Sequence, residues 1–287
     1  EEDEEEDEEE DEEEDEEEDE EEEDDDQDIN YKKYLGTEGL NSIMNYTEKK
    51  SPPLKNNFEY KPEIEKKYGR IFDSNNISKY SSKISSICNS IKESEGLILI
   101  YSEYIDGGII PMTLALEEIG YRRYGKVSSL FKNHPVNKIG SYIIISGNKS
   151  ISPNNIADIK AFTNNNNLNG EHIKICIISR AGAEGLDLKA VRQVHIMEPW
   201  YNMNRIEQII GRAVRTCSHK DLEFLKRNVQ IFLHGSKHKT KDIELLDLYI
   251  YRKAENKAIK IGEVSRLLKA NSIDCLLNID QMDFDES

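Results

Sequence analysis

Ile173–Arg215 reads IKICIISRAGAEGLDLKAVRQVHIMEPWYNMNRIEQIIGRAVR, and its succession of strand, glycine turn, strand, polar loop and helix decides the fold. The apolar run Ile173–Ile178 ends in Ser179-Arg180-Ala181-Gly182-Ala183-Glu184-Gly185-Leu186-Asp187. Two glycines directly behind a buried strand permit positive φ and close approach of a ligand or another backbone. A second strand, Gln193–Met197, stops at Glu198-Pro199. Asn204 with Glu207 three residues on predicts a capping box, and the helix it opens runs to about Arg215. At about 100° per residue, Gln208, Arg212 and Arg215 lie within roughly 60° of one another, while Ile206, Ile209, Ile210, Ala213 and Val214 take the other side. Guanidiniums keep their charge at every relevant pH and present paired planar donors, so two of them one turn apart suit the oxygens of a transferred phosphoryl group. Such a pair is otherwise an ordinary solvated face. What favours a site is the neighbouring glycine turn, because parallel sheets take ligands at the carboxyl ends of their strands.

Outward from this stretch the same alternation continues. Ile77, Tyr80, Ile84, Ile87 and Ile91 have helical spacing closed by Glu95-Gly96, and the strand Leu97–Tyr101 follows, ending in Ser102-Glu103-Tyr104. Pro111 opens a helix to about Ile119, Tyr142–Ile145 is a strand, and Ser152-Pro153 begins a helix to about Phe162. Thr163–Gly170, rich in Asn, is a surface loop. Asn228–His234 is a further strand, Ile243–Ile261 a long helix with a partly basic face, and Ile273–Ile279 a short helix or strand. Together these predict an α/β fold, a parallel sheet with helices on both faces. Asn30–Asn76, with Ser51-Pro52-Pro53 and a short helix near Glu63–Tyr68, reads as an irregular lead-in. Gly120–Val127 matches GxxxxGK, but Val127 stands where a phosphate loop needs Ser or Thr for magnesium, and the run follows a helix rather than a strand. The expected division is a tail over 1–28, the lead-in over 29–76, the sheet domain over 77–240 and a helical extension over 241–287.

Charge is unevenly placed along the 287 residues. Residues 1–26 are all Asp or Glu, so the formal net charge of −19 leaves about +7 for residues 27–287. The tail repels itself and cannot bury apolar surface, which predicts disorder; a solvated linker and an acidic competitor for basic surfaces are both open readings. A basic body suggests an anionic partner such as nucleic acid. Cys88, Cys176, Cys217 and Cys275 include no CxxC pair, which argues against a metal site or a disulfide framework, and no apolar run approaches the length of a membrane span. The chain begins without methionine and reads as a fragment.

The pair AGAEGLDL and QIIGRAVR, in this order and separated by a strand and EPWYN, resembles motifs V and VI of the second RecA-like lobe of superfamily 2 helicases. Together with TCSHKDL and AENKAIKIGEVSRLL, it is similar to the transcription-associated helicases of large DNA viruses. These include the poxvirus nucleoside triphosphate phosphohydrolase I, the small subunit of the poxvirus early transcription factor, and asfarvirus and mimivirus relatives. The resemblance implies a RecA-like lobe with a helical extension. It also implies ATP with Mg2+, held mainly by a first lobe that would precede this chain. Arg212 and Arg215 would be arginine fingers and Gln208 would orient them or the attacking water. Gly182, Glu184, Gly185 and Asp187 would border the nucleotide, and Ser102, Tyr104, Ser179 and Arg180 would contact DNA or RNA. Ser102 and Tyr104 read equally well as structural loop residues. The implied partners are the first lobe and a viral RNA polymerase or transcription factor subunit, and the implied location is the virion and the host cytoplasm. Glu198–Asn202 resembles a segment of SNF2-type translocases, in which Trp200 is either a coupling residue or a cover over the core. With neither an acceptable Walker A loop nor a DExx box, the chain alone is expected not to turn over ATP. A non-catalytic binding scaffold is the alternative.

Overall fold

A computed structural model describes residues 31–48, 55–134, 136–183, 185–241 and 243–272. The acidic tail, Ser51-Pro52-Pro53, Glu184 and Ile273–Ile279 lie outside the described residues. In chain order the lead-in holds α1 (Gly36–Ile43), β1 (Met44–Glu48), β2 (Lys55–Tyr60) and α2 (Pro62–Tyr68), and α3 (Ile77–Tyr80) opens the sheet domain. Then come α4 (Ser82–Glu93), β3 (Leu97–Tyr101), α5 (Ile110–Glu118), β4 (Tyr121–Arg123), β5 (Gly140–Ile145) and α6 (Asn155–Phe162). The chain continues through β6 (Ile175–Ile178), α7 (Arg180–Ala183), β7 (Val191–Ile196), α8 (Met203–Ala213), β8 (Gln230–Leu233) and α9 (Leu246–Ala270).

Six strands form one parallel sheet in the order β4-β5-β6-β3-β7-β8. Side chains alternate between its faces, and every residue of β3 and β6 is buried, so both faces must be covered. One face, with Ile98, Ile100, Ile144 and Ile177, packs on α4, α5 and the lead-in; the other, with Leu99, Ile143, Ile178 and Ile196, packs on α6, Leu186, Leu188 and α8. This is the expected RecA-like layering. β4 was not expected: it lies inside the GxxxxGK look-alike, whose first residues are thus an edge strand followed by a turn.

Three local expectations are corrected. The helix over Ile77–Glu95 is two helices, because Ser81 is extended (φ −144°, ψ 102°) and its hydroxyl accepts the Ile84 N–H, starting α4 afresh. Asn204 does not cap α8; the helix begins at Met203 behind Asn202, with no side-chain cap, and ends at Ala213, so Arg215 stands beyond it. The lead-in is not irregular. Leu40, Met44, Phe58, Tyr60, Ile71 and Phe72 join the main core, at about 1.5–3 kcal/mol for each fully buried side chain. Buried Glu118 fastens it, accepting from Tyr60 and Arg70 at 3.0 Å. Neighbouring Glu117 is also fully buried and takes the Leu130 and Phe131 N–H groups at 2.7 and 2.8 Å together with the Tyr142 hydroxyl.

A polar row fixes edge strand β8 to β7. Burial pushes His195 down to about 3 and His234 down to about 4, so both rings are neutral near pH 7. Neutral rings leave one consistent assignment of protons. His234 Nε2 donates to His195 Nδ1 (3.0 Å), His195 Nε2 to Gln193 Oε1 (3.2 Å), and Gln193 Nε2 to Gln230 Oε1 (3.0 Å).

Candidate functional site

The segment between β6 and β7 crosses the sheet. β6 and β7 both flank β3, so residues 179–190 run from the carboxyl end of one neighbour to the amino end of the other across the face that α8 covers. The two ends of this crossing are different places.

At the carboxyl end, Ser179 is buried, its N–H donates to Ile145 O (3.0 Å), and its hydroxyl accepts from Gly182 N–H (3.3 Å). Gly182 is needed here because a Cβ would strike the Ile145 carbonyl. Directly after β3 the Ser102 hydroxyl, fully buried, lies 3.1 Å from both Tyr104 O and Glu198 Oε1. The Ser102 hydroxyl is the donor shared between these two acceptors. Burial raises Glu198 to about 7, although bonds from Ser102 and the Glu103 N–H (3.2 Å) act the other way. Arg205 lies 3.8 Å over the Trp200 ring and 3.6 Å from Glu103, which also takes the Tyr101 hydroxyl. Of the four residues expected to meet nucleic acid, Ser102 and Ser179 therefore face inward, Arg180 is half-buried, and Tyr104 is exposed beside exposed Tyr201. An open cleft of about 680 Å3 adjoins Tyr104, and its walls carry Glu48, Glu103 and Asp106 against the single ammonium of Lys55. Lys55 is already paired with Asp106 at 2.7 Å and Glu48 at 3.3 Å, so the cleft does not favour phosphate.

At the amino end the arrangement opens. The Leu188 N–H donates to Arg212 O (3.1 Å) and the Ala190 N–H to Ser218 O (3.0 Å), which ties the return into β7 to the last turn of α8. Gly185 turns the chain with φ +65°. Asp187 and Arg215, both exposed, meet at 3.4 Å. Arg212 is half-exposed and Gln208 exposed, and among the described residues neither side chain has a hydrogen-bond or ion-pair partner. Because α8 returns antiparallel to β7, its arginine end stands at the amino edge of the sheet. The carboxyl-end position expected from general parallel-sheet behaviour holds for Gly182 but not for Arg212 or Arg215.

The order and spacing of these elements match the model described as "Helicase conserved C-terminal domain" over residues 82–217. Residues 82–217 belong to that helicase family. A protein of Invertebrate iridescent virus 3 bearing the name helicase 087L is 32% identical over 210 residues, 71% of this chain and 21% of the relative. One from Acanthamoeba polyphaga mimivirus, named ATP-dependent RNA helicase R563, is 36% identical over 165 residues, 56% of this chain and 27% of the relative. The termination factor NPH-I homolog of African swine fever virus (isolate Tick/Malawi/Lil 20-1/1983) is 33% identical over 181 residues, 54% of this chain and 26% of the relative. The chain thus spans about a fifth to a quarter of the length of these viral relatives. No helix among the described residues is long and apolar enough to cross a membrane, and no described group of three His, Cys, Asp or Glu could hold a metal ion.

The Glu198 network was missed by sequence reasoning because Ser102 and Glu198 are 96 residues apart. A strand ending in Glu-Pro was the one available signal. The clasp of Thr37, Asp106 and Lys55, which seats the lead-in on the loop after β3, has no counterpart in local spacing at all.

Proposed function

We propose that this chain is the second lobe of a nucleic-acid-dependent ATPase of viral transcription, acting in initiation or termination and completing an ATP site whose phosphate loop and Mg2+ belong to a first lobe. The observation that carries this is Arg212, half-exposed beside exposed Gln208, with no anion among the described residues to neutralise it. An unpaired guanidinium next to a second one fits an external polyanion such as the terminal phosphates of ATP. Bound ATP would supply a transferable phosphoryl group; Arg212 and Arg215 would offset charge gathering on its oxygens, and Gln208 would orient the arginines or the attacking water. Asp187 would hold Arg215 in readiness and border the ribose beside Glu184 and Gly185, whereas Gly182 would shape the turn at the other end.

The tie between Leu188 and Arg212 gives a physical route for coupling, since residues 179–190 join both ends of the crossing. Movement of the arginines on closure would be felt at Arg180, which together with Tyr104 would meet a DNA or RNA backbone. The names of the mimivirus and African swine fever virus relatives support a helicase of transcription. A viral polymerase or transcription factor subunit is the corresponding partner, in the virion or infected cytoplasm. In the two-lobed protein, Arg212→Ala and Arg215→Ala should each lower nucleic-acid-stimulated ATP hydrolysis by about 10³–10⁵ while nucleic-acid binding persists. Near-parent turnover in both would overturn the motor and leave a binding scaffold.

A further inference from the structure

Among the described glycines, all but three have an internal reason to be glycine: a positive φ, or an atom closer than 3.4 Å to the place a Cβ would occupy. Gly107 belongs to the acidic cleft already described, and the other two, Gly211 in α8 and Gly262 in α9, are inside helices. Glycine is the least favourable helix-interior residue after proline. Gly262 stands on a helix face for which the described residues give no occupant, and it carries no inference. Gly211 differs, because its surroundings have a definite chemistry.

On the helical wheel Glu207 lies about 40° to one side of Gly211, while Gln208 lies about 60° and Arg212 about 100° to the other. Glu207 and Gln208 are exposed and Arg212 is half-exposed. Bare helix backbone is therefore bordered by an acceptor on one side and donors on the other. A phosphate chain laid on Gly211 would meet the Glu207 carboxylate, whereas a peptide backbone brings both N–H and C=O groups and suits both borders.

Building on the motor reading, we infer that Gly211 is the point at which a main-chain segment of the first lobe comes into contact with α8 when the lobes close, with Glu207 accepting from its N–H and Gln208 donating to its carbonyl. Glycine is kept there because a side chain would hold the two backbones apart.

The test uses the two-lobed protein with Gly211→Ala, Gly211→Val and Arg212→Ala, together with Gly211→Ala in this chain alone. Alanine should raise the thermal midpoint of this chain by about 2–4 °C, because the helix improves and nothing is struck. In the two-lobed protein the same substitution should lower kcat about tenfold, and Val further, with KM for ATP changed less than about twofold. Dyes placed on the two lobes should report less closure with ATP and nucleic acid in the Val variant. If Arg212→Ala abolishes turnover but the Gly211 variants turn over and close normally, the inference is overturned and the motor reading stands. Raised KM with parental kcat would put the nucleotide itself at Gly211 and overturn it as well. Parental turnover in Arg212→Ala would instead overturn the motor reading.

Discussion

The two ends of the crossing between β6 and β7 differ in how far this chain alone completes them. At the carboxyl end, Ser102, Ser179, Glu198 and Gly182 are sunk among partners, and Arg205 is fixed over Trp200 and against Glu103. At the amino end, among the described residues, the Arg215 guanidinium has one exposed partner and that of Arg212 none. One end is a finished structural joint. The other is half of an arrangement whose remainder lies elsewhere, because a desolvated carboxyl or hydroxyl must be satisfied within the fold, while an exposed guanidinium can wait in water at little cost.

The most forceful way to break this contrast is to measure turnover and folding on the same variant. Arg212→Ala should remove the roughly 10³–10⁵ in rate that an arginine finger supplies and yet change the unfolding free energy of this chain by less than about 0.5 kcal/mol in urea titration. A large loss of stability would mean the arginine is structural and the two ends are alike. Next in size is Gly182→Ala. Its Cβ would press on the Ile145 carbonyl, so about 1–3 kcal/mol of stability should be lost in the same titration, opposite in sign to the gain from Gly211→Ala. Equal signs would erase the distinction between a packed and an open glycine.

Glu198→Gln sharpens the contrast through pH. The folded carboxyl is raised to about 7 from its ordinary value of 4.5, so its contribution is fully present below pH 4.5 and is lost as pH rises through 7. Glutamine has no such loss. The variant should gain on the parent steadily between pH 5 and pH 8, and a difference independent of pH would show that Glu198 is not held protonated. His195 and His234 act in the opposite direction and contribute equally to both proteins. Their lowered values cost stability as pH falls below 6.5, where the unfolded rings take up protons. The smallest effect is expected from Asp187→Asn, which breaks only an exposed pair and should cost less than about 1 kcal/mol by chemical denaturation. A greater cost would make the amino end a built joint after all.

Much of the sheet was legible because its signals are local. Ile175–Ile178 is an unbroken apolar run, and the helix and strand periods around it are intact. β4 was hidden because Tyr121–Arg123 is three residues long and two of them are arginines; Arg123 is buried only because its guanidinium reaches the Ile151 carbonyl across the loop after β5. The lead-in looked irregular for the same reason. Met44, Phe58 and Tyr60 are apolar positions in polar, Asn-rich surroundings, and they become core only against α5 and Phe131.

By itself the sequence determined the parallel sheet, the order of its motifs and the chemical identity of Gln208, Arg212 and Arg215, since each depends on residue type and short-range spacing. Only tertiary structure decided which motif residues reach water. Ser102 turns inward to a carboxyl 96 residues away, and the antiparallel return of α8 along β7 carries the arginines to the opposite edge of the sheet from Tyr104 and Arg180. The reason is physical: partners that satisfy a buried polar group are set by packing across the chain, and no local period records them.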